Sequence, residues 1–212
     1  MSTSISRSEL SDFSTESLLE KIAFIRAETD ENFRMILNPQ WASSFTDYRL
    51  RIRRALEEKM TEHFTREQLV LLNDLNWLPE SFSGHFSISH CKAMGGFTFS
   101  NYRHGFDVEE LSRISVNTIL RTSSDYERST CPRNEFLWVA KEAGVKALSG
   151  AHGYERPEHD LVVTHLRTYE WNSHFENQVF SFRMKSEKAL DFSLNKGFIF
   201  LEGDKLFCTY FK

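Results

Sequence analysis

The chain has 212 residues, 40% hydrophobic and 26% charged, with a net charge of -4 at neutral pH. That balance suits an ordinary globular protein, excludes collagenous and disordered classes, and argues against a generic nucleic-acid binder. The nineteen phenylalanines imply a core packed with aromatic rings. Cys91, Cys131 and Cys208 are odd in number and widely spaced, which fits neither a disulfide framework nor a zinc site and points to a reducing, cytoplasmic setting. The polar Met1-to-Ser17 stretch predicts no signal peptide, and no apolar run of membrane-spanning length occurs.

Ser17 and Glu20 have capping-box spacing, and Leu18, Ile22 and Ile25 recur at helical intervals, so a first helix is expected there before a polar run around Asp30. Asn38-Pro39 marks a break. Tyr48, Ile52, Ala55, Leu56 and Met60 then stripe a second helix, whose other side carries Arg49, Arg51, Arg53 and Arg54. That basic side reads equally well as a solvated face balanced by Glu57 and Glu58 or as a phosphate reader, with Arg49 and Arg53 pointing the same way. A short helix is predicted over Thr65 to Leu75 and a loop from Trp77 to Gly84.

The period then changes to two. His85-Phe86-Ser87-Ile88-Ser89 predicts a half-buried strand ending near His90, Phe97-Thr98-Phe99 a second, and Tyr102 to Val108 the third strand of a meander. On that third strand Asp107 and Glu109 share one face with Cα atoms about 6.7 Å apart. Two carboxylates so close are costly without a cation or proton between them. Leu111 to Leu120 is moderately helical and Thr122 to Pro132 loop-like. Phe136 to Lys146 is a helix on which Trp138, Glu142 and Lys146 recur every four residues. After a loop from Ser149 to His159, strands are predicted over Leu161 to Leu166 and Val179 to Met184, and a hairpin turns at Gly203-Asp204 between Phe198–Phe200 and Leu206–Cys208. The fold class is α+β, without βαβ alternation.

Several chemistries find no support. No Gly-x-Ser-x-Gly elbow, Walker loop or dinucleotide fingerprint is present. Cys91 reads as a buried small residue, and neither His85 with His90 nor His152 with His159 makes a zinc pair. What remains is Asp107 and Glu109 on a strand, Ser89-His90 ending another, and Lys141-Glu142 with Lys146 on a helix, which agree on phosphate and a divalent cation.

In that order the clusters resemble the 4'-phosphopantetheinyl transferases, in the larger surfactin-type branch. Phe86-Ser87-Ile88-Ser89-His90 is similar to the family's strand ending in Ser-His, and Gly105-Phe106-Asp107-Val108-Glu109 to its metal strand. Trp138 to Lys146 is similar to its Trp-x-x-Lys-Glu-(Ser/Ala)-x-x-Lys motif, and the Arg49-to-Leu56 helix to a weaker basic segment. The likeness covers about residues 45 to 150. It implies two similar α/β subdomains in pseudo-twofold arrangement, 1–103 and 104–212, the second carrying the metal site. It implies transfer of the phosphopantetheine arm of coenzyme A to a serine of an apo acyl or peptidyl carrier protein, by a monomer acting without nucleic acid or membrane. Asp107, Glu109 and Glu142 would hold Mg²⁺ or Mn²⁺, with Glu142 also the base. Lys146 would contact the pyrophosphate and Ser89 and His90 the coenzyme's phosphates, His90 the 3'-phosphate. Lys141, Arg49 and Arg53 would be further coenzyme contacts. The chain departs from the family where Trp77-Leu78-Pro79 replaces its Gly-Lys-Pro and where Cys91 replaces a serine. A metal-dependent nuclease and a coenzyme A-binding module without transferase activity are the competing readings.

Overall fold

The computed structural model describes residues 15–60, 84–149, 163–186 and 194–212. The predicted helix at Thr65 to Leu75, the loops at 77–83 and 150–159, and the Leu78 departure lie outside these residues. Helix α1, Thr15–Thr29, buries Leu18, Ile22 and Ile25 as its periodicity predicts, but Ser17 falls inside it rather than at its cap. The polar run that follows is only partly solvated. Asp30 is buried and its carboxylate accepts from the Asn32 N–H, the Ser100 hydroxyl and the Asn101 N–H, fastening the end of α1 to the strand that ends at Ser100. Strand β1, Arg34–Asn38, was hidden in this region because it is only five residues long.

Two antiparallel sheets follow. The first has the order β1-β3-β2, with β2 at His85–His90 and β3 at Gly95–Ser100, and helix α2, Tyr48–Met60, covers it with Ile52 and Leu56 against Trp41, Phe97 and Phe99. The second has the order β4-β8-β7-β6-β5, from β4 (His104–Glu110), β5 (Leu166–His174), β6 (Val179–Ser186), β7 (Lys196–Glu202) and β8 (Lys205–Phe211). The β7–β8 hairpin closes on Glu202 opposite Lys205, and Gly203 adopts φ 61°, the left-handed conformation such a turn favours in glycine. Of the strand predicted over Leu161 to Leu166, residues 161 and 162 lie outside the described ones, Val163 to His165 form a helical turn, and β5 begins at Leu166.

The expected meander does not form. β4 leaves β3 and pairs with β8, Asp107 opposite Cys208, while its other edge lies along β2 without a regular ladder. Side chains take the place of that ladder: the Phe106 N–H donates to the Ser87 hydroxyl oxygen (2.8 Å) and the Val108 N–H to that of Ser89 (3.2 Å). This inverts the expected polarity of β2, whose serines are buried while Phe86 and Ile88 are only partly so. A buried edge N–H needs an acceptor, and a hydroxyl supplies one where an apolar side chain does not.

Between β4 and the long helix lie α3, Val116–Thr122, and α4, Asp125–Thr130. The second corrects the expected loop at Thr122 to Pro132, and it carries a full capping box: the Ser124 hydroxyl accepts from the Glu127 N–H while the Glu127 carboxylate accepts from the Ser124 N–H. Helix α5, Asn134–Ser149, lays Phe136, Val139, Ala140, Ala143 and Ala147 on the second sheet. A further cluster joins α1 to β1, β4, β7 and β8, so the strands of both sheets share one apolar interior. No described helix is long and apolar enough to cross a membrane.

Candidate functional site

α5 crosses β4 at Gly105. A Cβ there would stand 1.9 Å from the Ala143 carbonyl oxygen and 2.5 Å from the Ala147 nitrogen, so only glycine permits this approach. The consequence appears two residues along the strand. Lys146 reaches from α5 to place its ammonium 2.7 Å from Asp107 Oδ1, 2.9 Å from Ser89 Oγ and 3.0 Å from the Phe106 carbonyl oxygen. The Ser89 hydroxyl itself donates to Asp107 Oδ1 at 2.7 Å. Three elements far apart in sequence therefore converge on one carboxylate.

His90 stands beside this group at the end of β2. Its ring packs edge-on against Tyr48 (centroids 4.3 Å apart), and Arg49 donates from Nε to the Tyr48 hydroxyl at 2.9 Å. Partial burial pushes the His90 pKa down, and the positive charges of Lys146 and Arg49 push it further, against the pull of Asp107. Three basic groups thus share one field, which an anion would relieve. Arg53 lies one turn beyond Arg49 on α2, half-exposed, whereas Arg51 is turned to Asp47 as an exposed helical pair.

The carboxylates are less assembled than the sequence predicts. Glu109 bends to the Glu110 N–H (2.9 Å) and lies 3.5 Å from Arg113. Its pKa is nonetheless raised, first by burial and also by the charges of Asp107 and Glu110, which outweigh that N–H and Arg113. Glu142 is half-buried on α5, one turn before Lys146. As the side chains stand, no three His, Cys, Asp or Glu among the described residues are gathered to hold a metal ion. The donor chemistry still fits one. The Lys146 ammonium already stands in for a cation among a carboxylate, a hydroxyl and a carbonyl oxygen, which are hard donors.

Lys141 is not brought to this group. It is wholly buried on another side of α5, where it donates to the Thr122 carbonyl and pairs with Glu127 at 3.0 Å. An ammonium at helical spacing from an active motif cannot be told from a structural one by sequence, and Glu127, its partner, lay in a segment expected to be loop. Cys91 is buried, with burial raising its thiol to about 11, as a small core residue would be. The serine pair was half legible: Ser89 stood out beside His90, but the ladder-replacing role of Ser87 has no local signature. No protein-family model matches the chain. No curated protein matches it either.

Proposed function

We propose that this protein transfers the 4'-phosphopantetheine group of coenzyme A to a serine hydroxyl of an apo acyl or peptidyl carrier protein. The observation that carries the reading is the meeting of Ser89, Asp107 and Lys146, with His90 and Arg49 beside them, because these come from separate sequence clusters that agree on phosphate chemistry. The finer expectation, a fold of two similar subdomains, is supported by a long helix lying across each antiparallel sheet, α2 on the first and α5 on the second.

In this reading the carrier serine oxygen attacks the phosphorus that bears pantetheine. A new P–O bond forms, the pyrophosphate P–O bond breaks, and adenosine 3',5'-bisphosphate leaves with the negative charge. Lys146 and His90 would meet phosphate oxygens, and Arg49, with Arg53 a turn away, would extend the basic field toward the nucleotide. Glu142 takes the serine proton, directly or through water. Asp107, Glu109 and Glu142 would hold Mg²⁺ or Mn²⁺, which supplies charge neutralisation at the pyrophosphate. Lys141 belongs to the framework rather than to the coenzyme.

Incubation with coenzyme A, Mg²⁺ and a panel of apo carrier proteins, followed by intact mass, should show one phosphopantetheine added to a serine. No gain on any carrier, with the folded protein, overturns the reading. Mg²⁺-dependent cleavage of DNA or RNA would replace it with the nuclease alternative, although Glu142 and Lys146 lie one turn apart on a helix. Coenzyme A binding with no transfer would leave only a binding module.

A further inference from the structure

The Lys146 ammonium has three N–H donors and three oxygen partners within 3.0 Å, so as it stands it has no donor left for a phosphate. Its most polar partner, Asp107 Oδ1, is also the oxygen a divalent ion would take. One carboxylate oxygen cannot hold an ammonium and a divalent cation together without strong like-charge repulsion. The lysine side chain is 30% exposed against 10% for Asp107, so the lysine is the partner with room to leave. Ser89 keeps its own hydrogen bond to Oδ1 and would hold the carboxylate in place once the lysine has gone.

We propose that Lys146 is a built-in counter-ion that competes with the divalent cation for Asp107 and is drawn off by an arriving phosphate, so that metal and phosphate ligand bind cooperatively. The inference rests on Asp107 as a metal ligand in the function proposed above. A phosphate gives the ammonium a better anion, which vacates Oδ1. By reciprocity the metal raises affinity for the phosphate ligand by the same factor. Lys146 acts here on the metal site through Asp107, and its contact with the phosphate is what releases that carboxylate.

Mn²⁺ binding to the full chain, read from the paramagnetic resonance of the free ion, tests this. Lys146→Met should bind Mn²⁺ alone about tenfold more tightly than the unsubstituted protein, and Lys146→Arg should stay close to it. Coenzyme A, corrected for its own Mn²⁺ complex, should tighten Mn²⁺ binding in the unsubstituted protein and much less in Lys146→Met. Should Lys146→Met fail to fold, Lys146→Gln keeps a neutral donor and should behave likewise. Equal Mn²⁺ affinity in the folded lysine-free variant and the unsubstituted protein overturns the counter-ion role and leaves the metal reading intact. Absence of Mn²⁺ binding in all of them, with and without coenzyme A, removes the metal site and the counter-ion role with it.

Discussion

Lys141 and Lys146 stand five residues apart on α5, turned about 140° from one another, and each ends on a carboxylate. Their surroundings separate them. Lys141 and Glu127 are 0% and 1% exposed, and the carboxylate is saturated by Lys141, the Ser124 N–H and the Thr168 N–H, with Arg167 at 3.8 Å. Lys146 is 30% exposed over a carboxylate that is itself only 10% exposed, and the pair lies beside His90 and Arg49, whose charges act on the same field. Two pairs of the same chemical type are thus a framework clamp and an exchangeable contact, and burial decides which is which.

The sharpest way to break this contrast is to truncate each pair. Glu127→Ala or Lys141→Ala should cost about 3–5 kcal/mol in denaturant unfolding, because each strands a buried charge. Lys146→Ala should cost less, about 1–3 kcal/mol in the same measurement, since the Ser89 hydroxyl still donates to the remaining carboxylate, yet should abolish the proposed transfer. A double replacement, Glu127→Leu with Lys141→Met, should recover much of the single-variant loss. Equal losses at Lys141 and Lys146 would dissolve the distinction.

Acid titration sharpens the same contrast. Burial pushes Glu127 up, but the Lys141 charge, the Ser124 and Thr168 N–H groups and the Lys141 hydrogen bond outweigh it and hold its pKa below the ordinary carboxylate value. Its contribution is therefore complete above the unfolded carboxylate range and is lost as pH falls through the lowered folded pKa. His104 acts earlier. It is buried between Phe33 and Phe211, donates from Nδ1 to the Tyr102 carbonyl (3.1 Å) and accepts at Nε2 from the Thr98 hydroxyl (2.8 Å), and burial lowers it to about 4. Between the ordinary histidine value and about 4 the unfolded chain takes up the proton that the folded one refuses, so stability should fall by at most about 1.4 kcal/mol per pH unit there. Unfolding midpoints against pH should show both limbs; Glu127→Gln should flatten only the lower one.

Gly105→Ala tests what brings Lys146 to Asp107. The added methyl meets backbone of α5 rather than a pliable side chain, so helix and strand must separate, at about 1–3 kcal/mol. Turnover should fall far more than thermal stability. Unchanged turnover would show that the close crossing is not what aligns the site.

The sequence was most informative where one element carried the message. The stripe of α2, the span of α5, the β7–β8 hairpin and the shared face of Asp107 and Glu109 all follow from period and turn residues. It was least informative where two distant segments had to meet. β4 reads as a strand but not as one that abandons β3 for β8, because no local pattern encodes a partner. α4 is short and polar, and its purpose is to deliver Glu127 to Lys141, a contact fourteen residues away that is invisible until α5 folds back. Within the site, Ser89, Asp107 and Lys146 stand out in the sequence and meet, with His90 beside them, whereas nothing in the sequence seats the lysine on the carboxylate.

The smallest effects separate two serines on one strand. Ser87→Ala strands the Phe106 N–H and Ser89→Ala the Val108 N–H, so each should cost about 1 kcal/mol in unfolding. Their effects on the site should differ. The Ser87 hydroxyl stitches β2 to β4, whereas that of Ser89 also holds Asp107 Oδ1 and is held by Lys146. Ser89→Ala should therefore lower turnover and weaken Mn²⁺ binding at a stability cost that Ser87→Ala matches with turnover nearly intact. If the two variants lose turnover in proportion to stability, the Ser89 hydroxyl contributes only to the seam, and the exchangeable pair does not depend on it.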